Sequence, residues 1–155
     1  MMFRPLLQAM RPRQWVKNIL VGAAPAAAGV TATTQWLDVL LAFISMTCAA
    51  SGVYLFNDVA DVAEDRLHPK KIERPVASGA LSVKVATIAG GVLTCTSMVL
   101  AAVFINWATA VLVTGYLALM GLYSLVLRKV IGIDIIIVAV GFVLRALIGA
   151  SAASI

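Results

Sequence analysis

Five runs of mostly apolar residues, near 16–32, 36–56, 85–105, 108–126 and 135–153, follow one another along the chain, and only one of the joints between them is long. About twenty apolar residues cross roughly 30 Å of hydrocarbon as a helix, which satisfies its own backbone polar groups there. The runs therefore predict an all-α fold, a polytopic membrane helix bundle. Composition agrees, since 62% of the 155 residues are hydrophobic and 12% charged, with a mean hydropathy of +1.01. These values exclude disordered and collagen-like chains. Cys48 and Cys95 both lie inside apolar runs without CxxC or Cys/His spacing, so they read as free thiols and not as a disulfide scaffold. The basic start followed by ILVGAAPAAAG also has the look of a signal peptide. The length of the basic stretch and Trp15 favour a span.

Positive charge sorts to one side of such a bundle. Arg4, Arg11, Arg13 and Lys17 gather at the start, Arg66, Lys70, Lys71, Arg74 and Lys84 between the second and third runs, and Arg128 and Lys129 after the fourth. The joints 33–35 and 106–107 carry no Lys or Arg, and beyond Lys17 at the edge of the first run only Arg145 lies within one. The positive-inside rule then sets the N-terminus and the 57–84 connection in the cytoplasm. The formal charge of +5 reports orientation and attraction to anionic headgroups or substrates, and no nucleic acid partner is expected. Trp15, Trp36 and Trp107 read as interfacial anchors.

The polar residues that end the second run carry the most chemistry. If its helix continues, Ser51, Tyr54, Asp58, Asp61 and Asp65 share one face, with Asn57 one turn before Asp61. Stacked like charges repel, so the arrangement is easier to understand when divalent cations neutralise it. Carboxylates with an amide oxygen suit Mg²⁺ used with a phosphate-bearing substrate. Arg66, His68, Lys70, Lys71 and Arg74 follow, able to donate to phosphate oxygens, and together the two groups fit a metal-bridged diphosphate. The alternative is a solvated loop in which acids and bases pair and the cations fix topology. His68 has no second His or Cys nearby to make a zinc site.

A second polar cluster is Tyr123, Arg128, Lys129 and Asp134. Along the last run Asp134, Gly141, Arg145 and Gly149 fall near one face, where small residues admit a neighbouring helix. An intramembrane arginine requires a partner or a polar cavity. Arg145 therefore either pairs with a carboxylate elsewhere or contacts an anionic substrate.

The run Asn57-Asp58-x-x-Asp61-x-x-x-Asp65, followed by Arg74-Pro75 and Ser78-Gly79, closely resembles the first aspartate-rich motif of the UbiA-type intramembrane prenyltransferase superfamily. Tyr123-x-x-x-Leu127-Arg128-Lys129 with Asp134 is similar to the stretch after that superfamily's fourth helix. Within it, Arg11-Pro-Arg-Gln-Trp-Val-Lys-Asn18 and Gly141-Phe-Val-Leu-Arg-Ala-Leu-Ile-Gly149 most resemble decaprenyl-phosphate phosphoribosyltransferases.

The resemblance implies a nine-helix bundle around a central cavity, of which residues 1–155 look like the N-terminal half. The partner would be the missing C-terminal half or a second copy in a homo-oligomer, in a bacterial inner membrane with the active-site connections cytoplasmic. The implied reaction moves a 5-phosphoribosyl group from phosphoribosyl diphosphate to a polyprenyl (decaprenyl) phosphate and releases diphosphate. Mg²⁺ is the implied cofactor, with Asp58, Asp61 and Asp65 catalytic and, with Asn57, metal-binding. Arg66, Lys70, Lys71, Arg74, Tyr123, Arg128, Lys129, Asp134 and Arg145 are the expected substrate contacts. The same motif also serves prenyl transfer from an allylic diphosphate to an aromatic or lipid acceptor. A reading of another class is a non-catalytic membrane subunit or transporter half.

Overall fold

Every regular element in the computed structural model, which describes residues 3–127 and 132–155, is helical. A short α1 (Phe3–Ala9) leads into a 3-10 helix (Pro12–Gly22) and α2 (Ala23–Ala27). Then come α3 (Thr33–Ala60), α4 (Val62–Leu67), α5 (Val83–Val99) with a π-helical extension (Leu100–Ile105), α6 (Trp107–Leu125) and α7 (Ile133–Ala152).

Four of these are long and apolar enough to cross a membrane: α3, α5 with its extension, α6 and α7. They match the last four expected runs to within a few residues. In α3, 50% of the most apolar window is buried, against 17% for α5, 17% for α6 and 28% for α7. Thus α3 is the centre of the bundle, and the others turn apolar flanks outward. Without a strong hydrophobic drive between helices in lipid, close backbone approach does the packing. A Cβ at Gly52 would come within 3.0 Å of the Gly90 carbonyl oxygen, so α3 and α5 meet glycine to glycine.

The first expected run, 16–32, differs from its forecast. Instead of one α-helix it is an eleven-residue 3-10 helix and five α-helical residues. At about 2.0 Å per 3-10 residue and 1.5 Å per α residue the two together still extend roughly 30 Å. Pro25 has no N–H to offer the Val21 carbonyl four residues back, which weakens a continuous α-helix here. The segment then stops in a Schellman arrangement: Gly29 sits at φ +70, its N–H donates to Ala26, and Val30 N–H donates to Pro25. The freed strand of backbone packs tightly on α7, because a Cβ at Gly149 would overlap the Val21 carbonyl.

Hydrogen bonds identify which helix ends lie together. At one end Gln35 Nε2 donates to the Ala153 carbonyl at 2.6 Å, and Asn106 Nδ2 to the Ser151 carbonyl at 3.0 Å. At the other, Ser124 Oγ donates to Asn57 Oδ1 at 2.5 Å, and Tyr123 Oη to Asp134 Oδ1 at 2.5 Å. The C-terminal ends of α3 and α6, the start of α7 and the N-terminal segment therefore share the basic end of the bundle. There Ala9 of α1 and Val76 and Leu81 of the long connection form a small core with Leu55 and Ala86. This core folds the connection back over the end of α3 and fixes the charged residues described next.

Trp36 and Trp107 are exposed as interfacial anchors should be. Trp15 is not one of them: its indole N–H turns inward to Ser51 Oγ at 3.1 Å and the Met10 carbonyl at 3.2 Å.

Candidate functional site

Two hollows open on either side of the polar end of α3, and the consecutive residues Asn57 and Asp58 face one each. The first is a cavity of about 250 Å³ within the bundle. Tyr54 and Asn57 of α3, Tyr116 and Tyr123 of α6, Asp134 and Arg145 of α7 and Lys17 supply its polar groups, while Val53, Met120, Ile137 and Phe142 supply apolar wall. The second is a cleft of about 220 Å³ lined by Gln8, Arg11, Asp58, Lys70, Glu73, Arg74 and Pro75.

The expected single face of aspartates is split. α3 ends at Ala60 and α4 begins at Val62, with Asp61 at the joint (φ −90, ψ 2). Asp58 and Asp65, 2% and 1% exposed, turn away from the cavity into an ion-pair network. Arg11 Nη2 donates to Asp58 Oδ1 at 2.6 Å, and Arg74 Nη1 donates to Asp65 Oδ2 at 2.7 Å while standing 3.5 Å from Asp58 Oδ1. Buried carboxylates need such partners, because removing them from water is costly. The acidic motif thus serves partly as a set of counter-ions that aim two arginines into the cleft.

The remaining expected contacts divide in the same way. Lys70 and Arg74 line the cleft, and Lys71 Nζ lies 3.9 Å from Asp65 Oδ1. Arg66 Nε instead donates to the Ala77 carbonyl at 3.2 Å and holds the returning connection in place. His68 Nδ1 accepts from the Lys70 and Lys71 amides, which makes it a turn residue. Tyr123, Asp134 and Arg145 all line the cavity. Arg128 and Lys129 lie outside the described residues.

Of the two sequence alternatives for Arg145, pairing with a carboxylate is not what the described residues show. Arg145 is 7% exposed, yet its hydrogen-bond partners are neutral: Asn18 Oδ1 at 2.9 Å, the Gly141 carbonyl at 2.7 Å and Tyr116 Oη at 3.3 Å. No carboxylate among the described residues pairs with it.

The donors present fit Mg²⁺ in part. Asn57 lines the cavity, and Asp61, whose amide donates to the Asn57 carbonyl at 2.9 Å, follows one turn later. Asp65 Oδ1 is buried with no hydrogen-bond partner among the described residues. No group of three or more His, Cys, Asp or Glu among the described residues is arranged to hold a metal. One or two carboxylate or amide oxygens, completed by water and substrate phosphate, are nevertheless how Mg²⁺ is commonly held.

Arg11, Asn18 and Tyr116 are the site residues that spacing did not single out as contacts. Asn18 had a signal, being a buried amide inside an apolar run. Arg11 reaches Asp58 across 47 residues, which no local pattern announces.

Residues 18–155 match the model of the UbiA prenyltransferase family. A decaprenyl-phosphate phosphoribosyltransferase from Mycolicibacterium smegmatis is 40% identical over 97% of this chain and 48% of its own length. One of the same name from Corynebacterium glutamicum is 41% identical over 97% of this chain and 46% of its own. The chain thus spans about half the length of these relatives. In fold it is similar to a UbiA homolog from Archaeoglobus fulgidus solved with DMAPP and Mg²⁺, at a TM-score of 0.82 and 24% identity over 97% of this chain and 55% of that one. Helical architecture, the polar end of α3 and the family match agree: the chain belongs to the UbiA prenyltransferase family.

Proposed function

We propose that this chain builds the half-bundle that carries the first aspartate-rich motif of a membrane transferase. Its reaction would move a 5-phosphoribosyl group from phosphoribosyl diphosphate to a polyprenyl phosphate. The observation that carries the reading is that Asn57 lines a largely apolar cavity while its neighbour Asp58 lines the cationic cleft of Arg11, Lys70 and Arg74. The names of the relatives favour the phosphoribosyl donor over an allylic one.

In this account Lys70, Arg74 and Arg11 bind the oxygens of the departing diphosphate and stabilise the charge that develops on it. Asn57 and Asp61 would hold Mg²⁺, with Asp58 and Asp65 behind them as counter-ions to the arginines. When bound, the metal offsets negative charge on the leaving group. The bond from ribosyl C1 to diphosphate oxygen breaks with its electron pair leaving on diphosphate, and a phosphate oxygen of the lipid acceptor bonds to C1. That acceptor is already ionised near neutral pH, so no strong general base is required. Tyr123 and Asp134 stand at the cavity mouth, with the cleft on the cytoplasmic side where a soluble donor is at hand.

The apolar cavity wall would also accept an allylic chain, which makes prenyl transfer the competing reading. Membranes containing the full-length protein, given radiolabelled phosphoribosyl diphosphate or an allylic diphosphate with polyprenyl phosphate and Mg²⁺, separate the two. Label should enter lipid only from phosphoribosyl diphosphate.

A further inference from the structure

We infer that Arg145 forms an intramembrane subsite for a phosphate monoester, apart from the position of the diphosphate leaving group. The inference rests on the transferase reading above. At 1.5 Å rise per residue Arg145 lies about 18 Å along α7 from Ile133, deep in a span, and is 7% exposed. A guanidinium at that depth is costly unless opposite charge or a polar cavity receives it. Its three hydrogen bonds go to neutral groups on three elements, Asn18, Tyr116 and its own helix at Gly141. Asp134 shares the cavity wall but lies roughly 16 Å away along the helix.

Three of the five guanidinium N–H groups are thereby used, leaving one on each terminal nitrogen. Both remaining donors belong to a side chain that lines the cavity of about 250 Å³, and Lys17 adds a second cation to the same lining. A planar fork with two free donors is suited to phosphate oxygens. Among the described residues no carboxylate pairs with Arg145, so a metal-carried diphosphate fits the Asn57 end and not this one. An allylic donor would bring only hydrocarbon here and leave the cation uncompensated. A phosphoribosyl donor brings its 5-phosphate, opposite its diphosphate, and the lipid acceptor brings the phosphate at its chain end. Both are phosphate monoesters. With the donor's 5-phosphate as occupant, Arg145 is a specificity residue that selects against allylic donors, since a buried donor left unpaired discriminates strongly.

The test is ligand affinity of the full-length protein in lipid nanodiscs, comparing wild type with Arg145→Gln, Arg145→Lys and Tyr116→Phe. The probes are ribose 5-phosphate, farnesyl phosphate, inorganic diphosphate with Mg²⁺, and dimethylallyl diphosphate with Mg²⁺. Arg145→Gln should weaken at least one monoester by about tenfold or more, with partial recovery in Arg145→Lys, while both diphosphates change by less than about twofold. Loss confined to ribose 5-phosphate assigns the subsite to the donor, and loss confined to farnesyl phosphate assigns it to the acceptor. Monoester binding unchanged in a folded Arg145→Gln protein, or an equal loss for all four probes, overturns the inference. If the Gln variant does not fold, Tyr116→Phe and Arg145→Lys decide on the same criterion, a loss selective for monoesters. A wild-type protein that binds neither of the two diphosphates with Mg²⁺ contradicts the transferase reading instead.

Discussion

Arg11 and Asp58, 47 residues apart in the chain, meet at 2.6 Å, with the Arg11 guanidinium 4.7 Å over the Tyr54 ring. The pair fastens the start of the 3-10 helix to the end of α3, and Arg11 adopts a left-handed backbone conformation (φ 54) to reach it. Arg11→Ala leaves Asp58 buried with only the 3.5 Å contact to Arg74. The expected cost is about 2–3 kcal/mol, below the roughly 3–5 kcal/mol of a fully buried pair because Arg11 is 33% exposed. Thermal melting in detergent should show the loss, and Arg11→Lys should recover part of it. An unchanged melting temperature for Arg11→Ala would mean that the pair carries no stability.

The split between Asp58 and Asp61 gives two neighbouring substitutions different signatures. Asp58→Asn keeps the shape but removes the charge that Arg11 and Arg74 share, so folded yield and melting temperature should fall. Asp61→Asn should weaken Mg²⁺-dependent diphosphate binding by about tenfold or more, a larger loss than Asp58→Asn gives. Two variants with the same profile would contradict the division of the motif into counter-ions and metal ligands.

Gly149 tests the packing of α7 on the 3-10 helix. Any Cβ there meets the Val21 carbonyl, so Gly149→Ala forces the backbones apart at an expected cost of about 1–3 kcal/mol. The displacement would also pull Arg145 from Asn18. Limited proteolysis in detergent should cut the alanine variant faster within residues 12–32, whereas Gly121→Ala, with open space around the added Cβ, should cut at the wild-type rate.

The long spans were legible because an apolar run of that length has one cheap conformation in a membrane. The first run was misread because apolar content does not encode the missing Pro25 N–H or the turn at Gly29. The acidic motif was recognisable, yet its faces were not. Helical periodicity puts Asp58, Asp61 and Asp65 on one broad stripe, but the break at Asp61 and the returning connection turn Asp58 and Asp65 toward Arg11 and Arg74. Arg145 was visible as an anomaly in a span, while its neutral partners come from elements 29 and 127 residues away.

The orientation drawn from positive charge has its own check. With native cysteines replaced, Lys70→Cys should react with a membrane-impermeant thiol reagent only from the cytoplasmic side, and Trp107→Cys only from the opposite side. Labelling of residue 70 from outside would reverse the bundle and remove the cleft from the soluble donor proposed for it.

Transfer itself is the most direct measurement of the central claim. Full-length protein in nanodiscs, supplied with Mg²⁺, polyprenyl phosphate and phosphoribosyl diphosphate labelled in the ribose, should yield labelled lipid and one diphosphate per transfer. Asp61→Asn should lower that rate by orders of magnitude, and EDTA should abolish it. Labelled lipid from an allylic diphosphate and none from phosphoribosyl diphosphate, or transfer that persists in the Asp61→Asn protein, would contradict the account.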